Sequence, residues 1–207
     1  MKIDGTSLLT NTSKMPGKSI GIGAKRCHVG SKLVNVKGST CEGCYALKGA
    51  YTWSSYKQAE VKRFNLIANE PVKFKDMMVT GLRRLKKPEF RWFDSGDVQS
   101  TAMANNILDI CEDTQNLTHW IPSRETKIWK NVLKHRKLPS NVTLRVSAAM
   151  IDGKPSKQFS NTSTVHTSES NVQSGTHICP APKQEGKCGD CRACWNREVK
   201  NVSYHKH

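Results

Sequence analysis

Seven of the eight cysteines in this 207-residue chain fall into two groups, and that grouping limits what the chain can build. The first group is Cys27 with Cys41 and Cys44, the last two in the run CEGCY. The second is Cys179 with Cys188, Cys191 and Cys194, in CPAPKQEGKCGDCRACW, and only Cys111 stands apart. The overlapping C-x2-C-x2-C at 188–194 brings three thiolates around one centre, which suits three corners of an iron–sulfur cubane, with Cys179 available as the fourth ligand. Structural zinc is the alternative, but it usually takes two knuckles separated by a longer loop. A disulfide framework ranks last. The opening MKIDGTSLLTNTSKMPGK lacks the apolar stretch of a secretory signal. The thiols are therefore expected in a reducing cytoplasm, as ligands of one or two clusters of the 4Fe–4S type.

The chain is strongly basic, with 33 Lys and Arg against 17 Asp and Glu, a net charge of +16. The cations concentrate in KFKDMMVTGLRRLKK (73–87) and KIWKNVLKHRK (127–137). Solvated helix faces are one reading; attraction to a polyanion such as nucleic acid is another. Surplus positive charge also offsets the negative charge of thiolate-held clusters. No run approaches the ~18 apolar residues of a membrane span. A nucleic acid or a host protein is thus the expected macromolecular partner, and a membrane is not.

Along the chain, residues 53–69 read as a helix with Tyr56, Ala59, Phe64, Ile67 and Ala68 on its apolar stripe. Pro71 is placed to open a second helix carrying Phe74, Met77, Met78 and Leu82. A theme then repeats, in which a short strand-like run ends in small or polar residues. Phe90–Phe93 runs into DSGD, Leu117–Ile121 into PSRET, Val142–Val146 into Ser147, Thr164-Val165 into HTSES, and Thr176–Ile178 into Cys179. Helical segments follow the first two, near 100–112 and around Ile128–Leu133. Strands alternating with helices predict α/β architecture with a parallel sheet, and ligands gather at the carboxyl ends of such strands. The later intervals are too short for full helices. The expected fold is therefore a partial or irregular (β/α) barrel over residues 1–174, with a cysteine-rich, cluster-binding segment at 175–207 packed on the same domain.

Three thiolates at Cys27, Cys41 and Cys44 leave one iron of a four-iron cluster without a cysteine. His28 or Cys111 can close that position from the protein, or a substrate can occupy it. In DSGD, Asp94 and Asp97 flank a Ser-Gly turn, and Asp97 reads either as a ligand-binding carboxylate or as a helix cap. Arg124 can pair with a carboxylate or phosphate, or lie on the surface. His119 and His166 read as structural histidines. Trp53, Trp92, Trp120, Trp129 and Trp195 read as core or cluster shielding.

The segments NTSKMP (11–16), Cys27 followed by CEGCYALKGAY (41–51), RFNL with Asn65, FRWFDSGD (90–97) and CGDCRACW together resemble the phage gene product 88 family. That family is similar in pattern to phage proteins with radical-SAM-like cysteine motifs. The resemblance implies a phage-encoded protein of the host-cell cytoplasm, with a partial barrel and a cluster near its open top. By the same resemblance, the free iron binds the amine and carboxylate of S-adenosylmethionine. Ser95, Gly96 and Asp97 then match the strand-end motif that meets the methionyl amine, and the second cysteine group is an auxiliary cluster; Arg124 is a candidate cofactor contact from its own place after a strand, not from the resemblance. Radical-SAM enzymes carry C-x3-C-x2-C, whereas here thirteen residues separate Cys27 from Cys41.

Overall fold

Short apolar runs punctuated by small residues assemble into one sheet in the computed structural model, which describes residues 2–3 and 5–206. A two-stranded ribbon, β1 (Lys2–Ile3) and β2 (Thr6–Ser7), precedes it. The sheet takes β3 (Thr10–Asn11), β4 (Lys18–Ile20), β5 (Glu89–Trp92), β6 (Thr118–Ser123), β7 (Val142–Ser147), β8 (Thr162–His166), β9 (His177–Ile178) and β10 (Asn201–His205). Its order is β3-β4-β5-β6-β7-β8-β10-β9, and every pairing is parallel except β3 with β4. From β4 to β8 neighbours in space are neighbours in sequence, so the strands advance in one direction. Crossovers between parallel strands are right-handed as a rule, which sends the helices that cover the sheet to one face.

Those helices are α1 (His28–Leu33), α2 (Ser54–Asn69), α3 (Pro71–Leu82), α4 (Thr101–Glu112) and α5 (Thr126–His135). From α2 onward each packs on the next. Local chemistry sets their starts: Pro71 opens α3, and the Ser100 hydroxyl caps α4 by accepting from the Met103 amide at 3.1 Å. Phe74, Met78 and Leu82 of α3 and Ile107, Leu108 and Cys111 of α4 meet Phe90, Trp92, Ile121, Val142, Leu144 and Val146 of the strands in the main core. Each large apolar side chain removed from water here contributes about 1.5–3 kcal/mol.

The alternate strand residues point to the opposite face. There Ser19, Arg91, Trp120 and Thr143 form a cross-strand row. The cysteine-bearing segment covers this face through Trp195, which packs on Trp120 at 5.2 Å between ring centroids and donates its indole N–H to the Phe90 carbonyl. Thr143 Oγ1 donates to the Trp195 carbonyl. Arg145, fully buried, donates to the carbonyls of Ala193, Cys194, Asn196, Val199 and Thr162.

The architecture is thus mixed α/β with a mostly parallel sheet. Among the described residues its edge strands β3 and β9 do not pair with each other, so the sheet, expected as a partial or irregular barrel, is not closed. The last strand inserts between β8 and β9, which no apolar run in NVSYH foretold. On α2, Ala68 is exposed, while Glu60 and Arg63 are buried because both bind polar groups at the strand ends.

Candidate metal centres

The chain leaves β4 through Gly21-Ile22-Gly23 and is stitched to the turn after β5, with Ile22 N–H donating to Ser95 O at 2.9 Å and Asp94 N–H to Ile20 O at 3.1 Å. Gly96 adopts φ 87°, and a Cβ there would stand 2.6 Å from Ile22 Cγ1, so only glycine lets the two strand ends close. This close approach carries Cys27 to the carboxyl edge of the sheet. The helix α1 is then anchored by Val29 N–H donating to Glu125 Oε1 at 2.8 Å. The long interval to Cys41 folds back onto the β7 exit, where Thr40 N–H donates to Ala149 O and its hydroxyl to Ala148 O, both at 2.8 Å. Thirteen intervening residues are in this way absorbed, and Cys27 and Cys41 meet: a Cβ on Gly30 would lie 3.5 Å from one sulfur and 3.6 Å from the other.

Asp97 and Arg124 join them. Asp97 is buried, accepting from Ser123 Oγ, Val98 N–H and Arg124 N–H, each at 2.7 Å. Burial outweighs these donors and pushes its carboxyl up to about 6, with Glu125 adding to the rise. The Arg124 guanidinium donates to Thr40 Oγ1 through Nε and Nη2, at 3.2 and 2.9 Å. Burial, then the charges of Asp97, Cys41 and Cys44, push the Cys27 thiol up to about 12, and Arg124 opposes them. The Cys41 thiol is likewise raised by burial and eased by Arg124. The helix cap next to this turn is Ser100, so Asp97 keeps its oxygens for the strand ends.

Other expected participants go elsewhere. Ser95 gives its hydroxyl to the Glu60 carboxylate on α2. Cys111 is fully buried on α4 in the main core, away from the first group. His28 is exposed at the start of α1. Sequence reasoning missed Glu125, which anchors α1, and Tyr45, whose hydroxyl donates to Asp94 O at 2.7 Å and accepts from Arg91 Nη2 at 3.0 Å. Tyr45 directly follows Cys44, a signal available in the sequence.

The second group lies on the face opposite the helices. Cys179 is tied by its N–H to Ser203 O at 2.9 Å, Cys188 by its N–H to Lys14 O at 2.9 Å, and Cys191 by its N–H to Cys188 O at 3.0 Å. Cys194 Sγ lies 3.2 Å from Tyr204 Oη, and Cys191 Sγ lies 3.4 Å from His177 Nε2. Burial pushes the Cys194 thiol up to about 12, the Tyr204 hydroxyl and Arg145 opposing it. Cys188 is raised by burial, then by Cys179 and Cys191, with Arg192 and Arg91 opposing. Cys179 is raised by burial, and the charge of Cys191 adds to the rise.

All eight cysteines are free thiols. Among the described residues, no three His, Cys, Asp or Glu side chains are gathered into a metal-holding arrangement as the chain stands. The fit of a bound group is therefore judged on donor chemistry and space. At the first group, Gly30 leaves room beside two sulfurs that a methyl would fill. At the second, the buried Nε of Arg91 and indole nitrogen of Trp120 have no acceptor, while the charge of fully buried Arg145 acts on Cys194 and that of half-buried Arg91 on Cys188. A group held by four thiolates is an anion that meets both demands, so the residues fit an iron–sulfur cluster.

Fold and site together define a mixed α/β protein that carries two groups of thiols against a largely parallel sheet. The chain belongs to the Gene product 88 family, a family of phage gene products, whose model matches residues 7–197. No curated protein and no solved structure matches it.

Proposed function

We propose that this protein is an iron–sulfur enzyme of radical-SAM-like architecture that reductively cleaves S-adenosylmethionine in the host cytoplasm. The observation supporting it is the meeting of Cys27 and Cys41 with Asp97 and Arg124 at the carboxyl ends of parallel strands. Cys27, Cys41 and Cys44 are the ligands of the first 4Fe–4S cluster; Cys179, Cys188, Cys191 and Cys194 hold the auxiliary one. When bound and reduced by an external one-electron donor, the first cluster would supply an open iron and the electron that breaks a carbon–sulfur bond of the sulfonium, so that methionine leaves and the adenosyl fragment takes a hydrogen atom from a substrate to give 5′-deoxyadenosine. Asp97 accepts from the methionyl amine through Oδ2, which in the strand-end network takes only the Arg124 N–H, while Ser123 and Val98 hold Oδ1. Arg124, steadied by Thr40, offers its charge to the carboxylate. Gly96 permits the close turn that sets Asp97 in place.

The test is anaerobic loading with iron and sulfide, followed by spectroscopy of the reduced protein with and without S-adenosylmethionine. The expected result is a changed first-cluster spectrum and released 5′-deoxyadenosine, both abolished in Cys44→Ala. Asp97→Ala should weaken binding and leave iron content intact. A loaded, reduced protein that shows neither effect with excess S-adenosylmethionine defeats the enzyme reading.

A binding role is the second reading, favoured by one observation. Lys127, Lys130 and Lys134 are exposed along one side of α5, opposite its buried Trp129 and Val132. Such a row suits the phosphates of a nucleic acid, which can then be the substrate or simply the partner.

A further inference from the structure

Arg91 lies in the middle of the cross-strand row, between the two groups of thiols. Its Nη2 donates to Tyr45 Oη at 3.0 Å, one residue from Cys44. Its Nη1 reaches Met15 Sδ at 3.4 Å, and its guanidinium carbon sits 4.7 Å above the Trp120 ring. Trp120 packs in turn in the apolar cluster with Cys179, Cys191, Cys194, Trp195 and Tyr204. Both side chains hold a buried donor that finds no acceptor, Arg91 Nε and Trp120 Nε1. An unmade buried hydrogen bond costs about 1–3 kcal/mol, so two within one small cluster point to an acceptor that arrives with a ligand. The carboxylate whose charge reaches Arg91 is Asp94, which accepts from Ser19 and Ser95 and from neither of these two N–H groups. What the surroundings do supply is sulfur.

We infer that Arg91 and Trp120 form the donor wall of the centre held by Cys179, Cys188, Cys191 and Cys194, giving N–H hydrogen bonds to its sulfur atoms. The inference rests on the iron–sulfur reading above and adds a role to two residues that are not ligands. Hydrogen bonds to cluster sulfur and nearby positive charge stabilise the reduced, more negative state, which raises the reduction potential. Arg91 also binds Tyr45, so the same cation lies against the loop of the first group. It is thereby placed to couple the two centres electrostatically.

The experiment is a redox titration of the anaerobically loaded full chain, with iron and sulfide measured on each sample. Trp120→Phe keeps an aromatic ring and removes the N–H. Arg91→Gln removes the charge, while Arg91→Lys keeps it. The titration is run in the Cys44→Ala background to isolate the C-terminal centre. Trp120→Phe and Arg91→Gln should retain iron and lower the one-electron reduction equilibrium by about tenfold, or ~59 mV. Arg91→Lys should recover part of the loss, which a purely structural role does not predict. If iron content is normal and no potential moves, the donor wall is refuted while the cluster reading survives. If the wild-type C-terminal group takes up zinc or no metal under these conditions, both fall together.

Discussion

Asp97 shows how far one residue's environment departs from its ordinary chemistry. Its carboxyl ordinarily titrates at 3.8, and in the fold at about 6, because burial outweighs its three donors. Between those values the folded chain holds a proton that the unfolded chain has released. Stability from this group is therefore full below pH ~4 and is lost as pH rises to ~6, by roughly 3 kcal/mol at about 1.4 per unit. Denaturant titrations of the metal-free protein should show that decline, and Asp97→Asn should flatten it. Parallel pH profiles for the two proteins would refute the assignment. Gly30 offers a second test at this scale. A methyl there would stand 2.9 Å from Cys27 Cβ, so Gly30→Ala should displace the thiol and lower iron uptake at the first group while helix content stays unchanged. Equal uptake would mean that the space beside these sulfurs is not used. Cysteine spacing marks the two groups in the sequence, and the Ser-Gly turn singles out Asp97, whose burial and whose replacement by Ser100 as the helix cap come only from the fold. Ser95's partner was not visible, because Glu60 lies 35 residues away on a helix whose buried stripe includes charge.

At the scale of elements, the strand-like runs and the first helices were legible because each carries its own period and its own boundary residue. Pro71, the small residues soon after β5 and Pro122-Ser123 at the end of β6 mark edges that no tertiary packing needs to define. The strand β10 escaped notice because NVSYH is short and polar; it exists through its parallel pairing with β8 and β9. The two basic segments also separate once folded. Arg83 spends its Nε and Nη2 on Asp113 O, and the loop after α3 leads into the amino end of β5. The helix α5 instead begins after the carboxyl end of β6, beside Asp97 and Arg124, so its lysines run away from the site. Charge at α5 should therefore matter more for a bound polynucleotide. Replacing Lys127, Lys130 and Lys134 with Gln should weaken binding of single-stranded DNA or RNA and reduce the salt slope by about one for every phosphate left without its lysine. The same change at Arg84, Lys86 and Lys87 should have the smaller effect. The reverse order would place the interface at the other edge of the sheet.

Over the whole molecule, the question is what holds the cysteine-rich segment to the sheet. The whole chain is lean in apolar residues, at 36%, so metal ligation is one candidate for that cohesion. In the fold much of that work falls to Arg145, whose guanidinium gathers the carbonyls of Ala193, Cys194, Asn196 and Val199 around a single 3-10 turn, with Asn196 N–H and Asn161 adding a second donor only to Ala193 O and Val199 O. Burial lowers the pKa of this guanidinium, the expected cost of placing a cation where no carboxylate answers it. Its replacement takes the donor from the carbonyls of Cys194 and Asn196, each loss costing about 1–3 kcal/mol in a way that does not simply add. Arg145→Met should thus loosen residues 188–199 even in metal-free protein, seen as fast amide exchange there and early proteolysis. Cys191→Ala should leave metal-free protection close to wild type and abolish only the added protection that iron brings. Two kinds of cohesion are then distinguishable: a hydrogen-bonded clamp that forms with the fold, and ligation that tightens it afterwards. If Cys191→Ala frees the segment in the absence of metal while Arg145→Met does not, the clamp is incidental and the thiols are the true anchor.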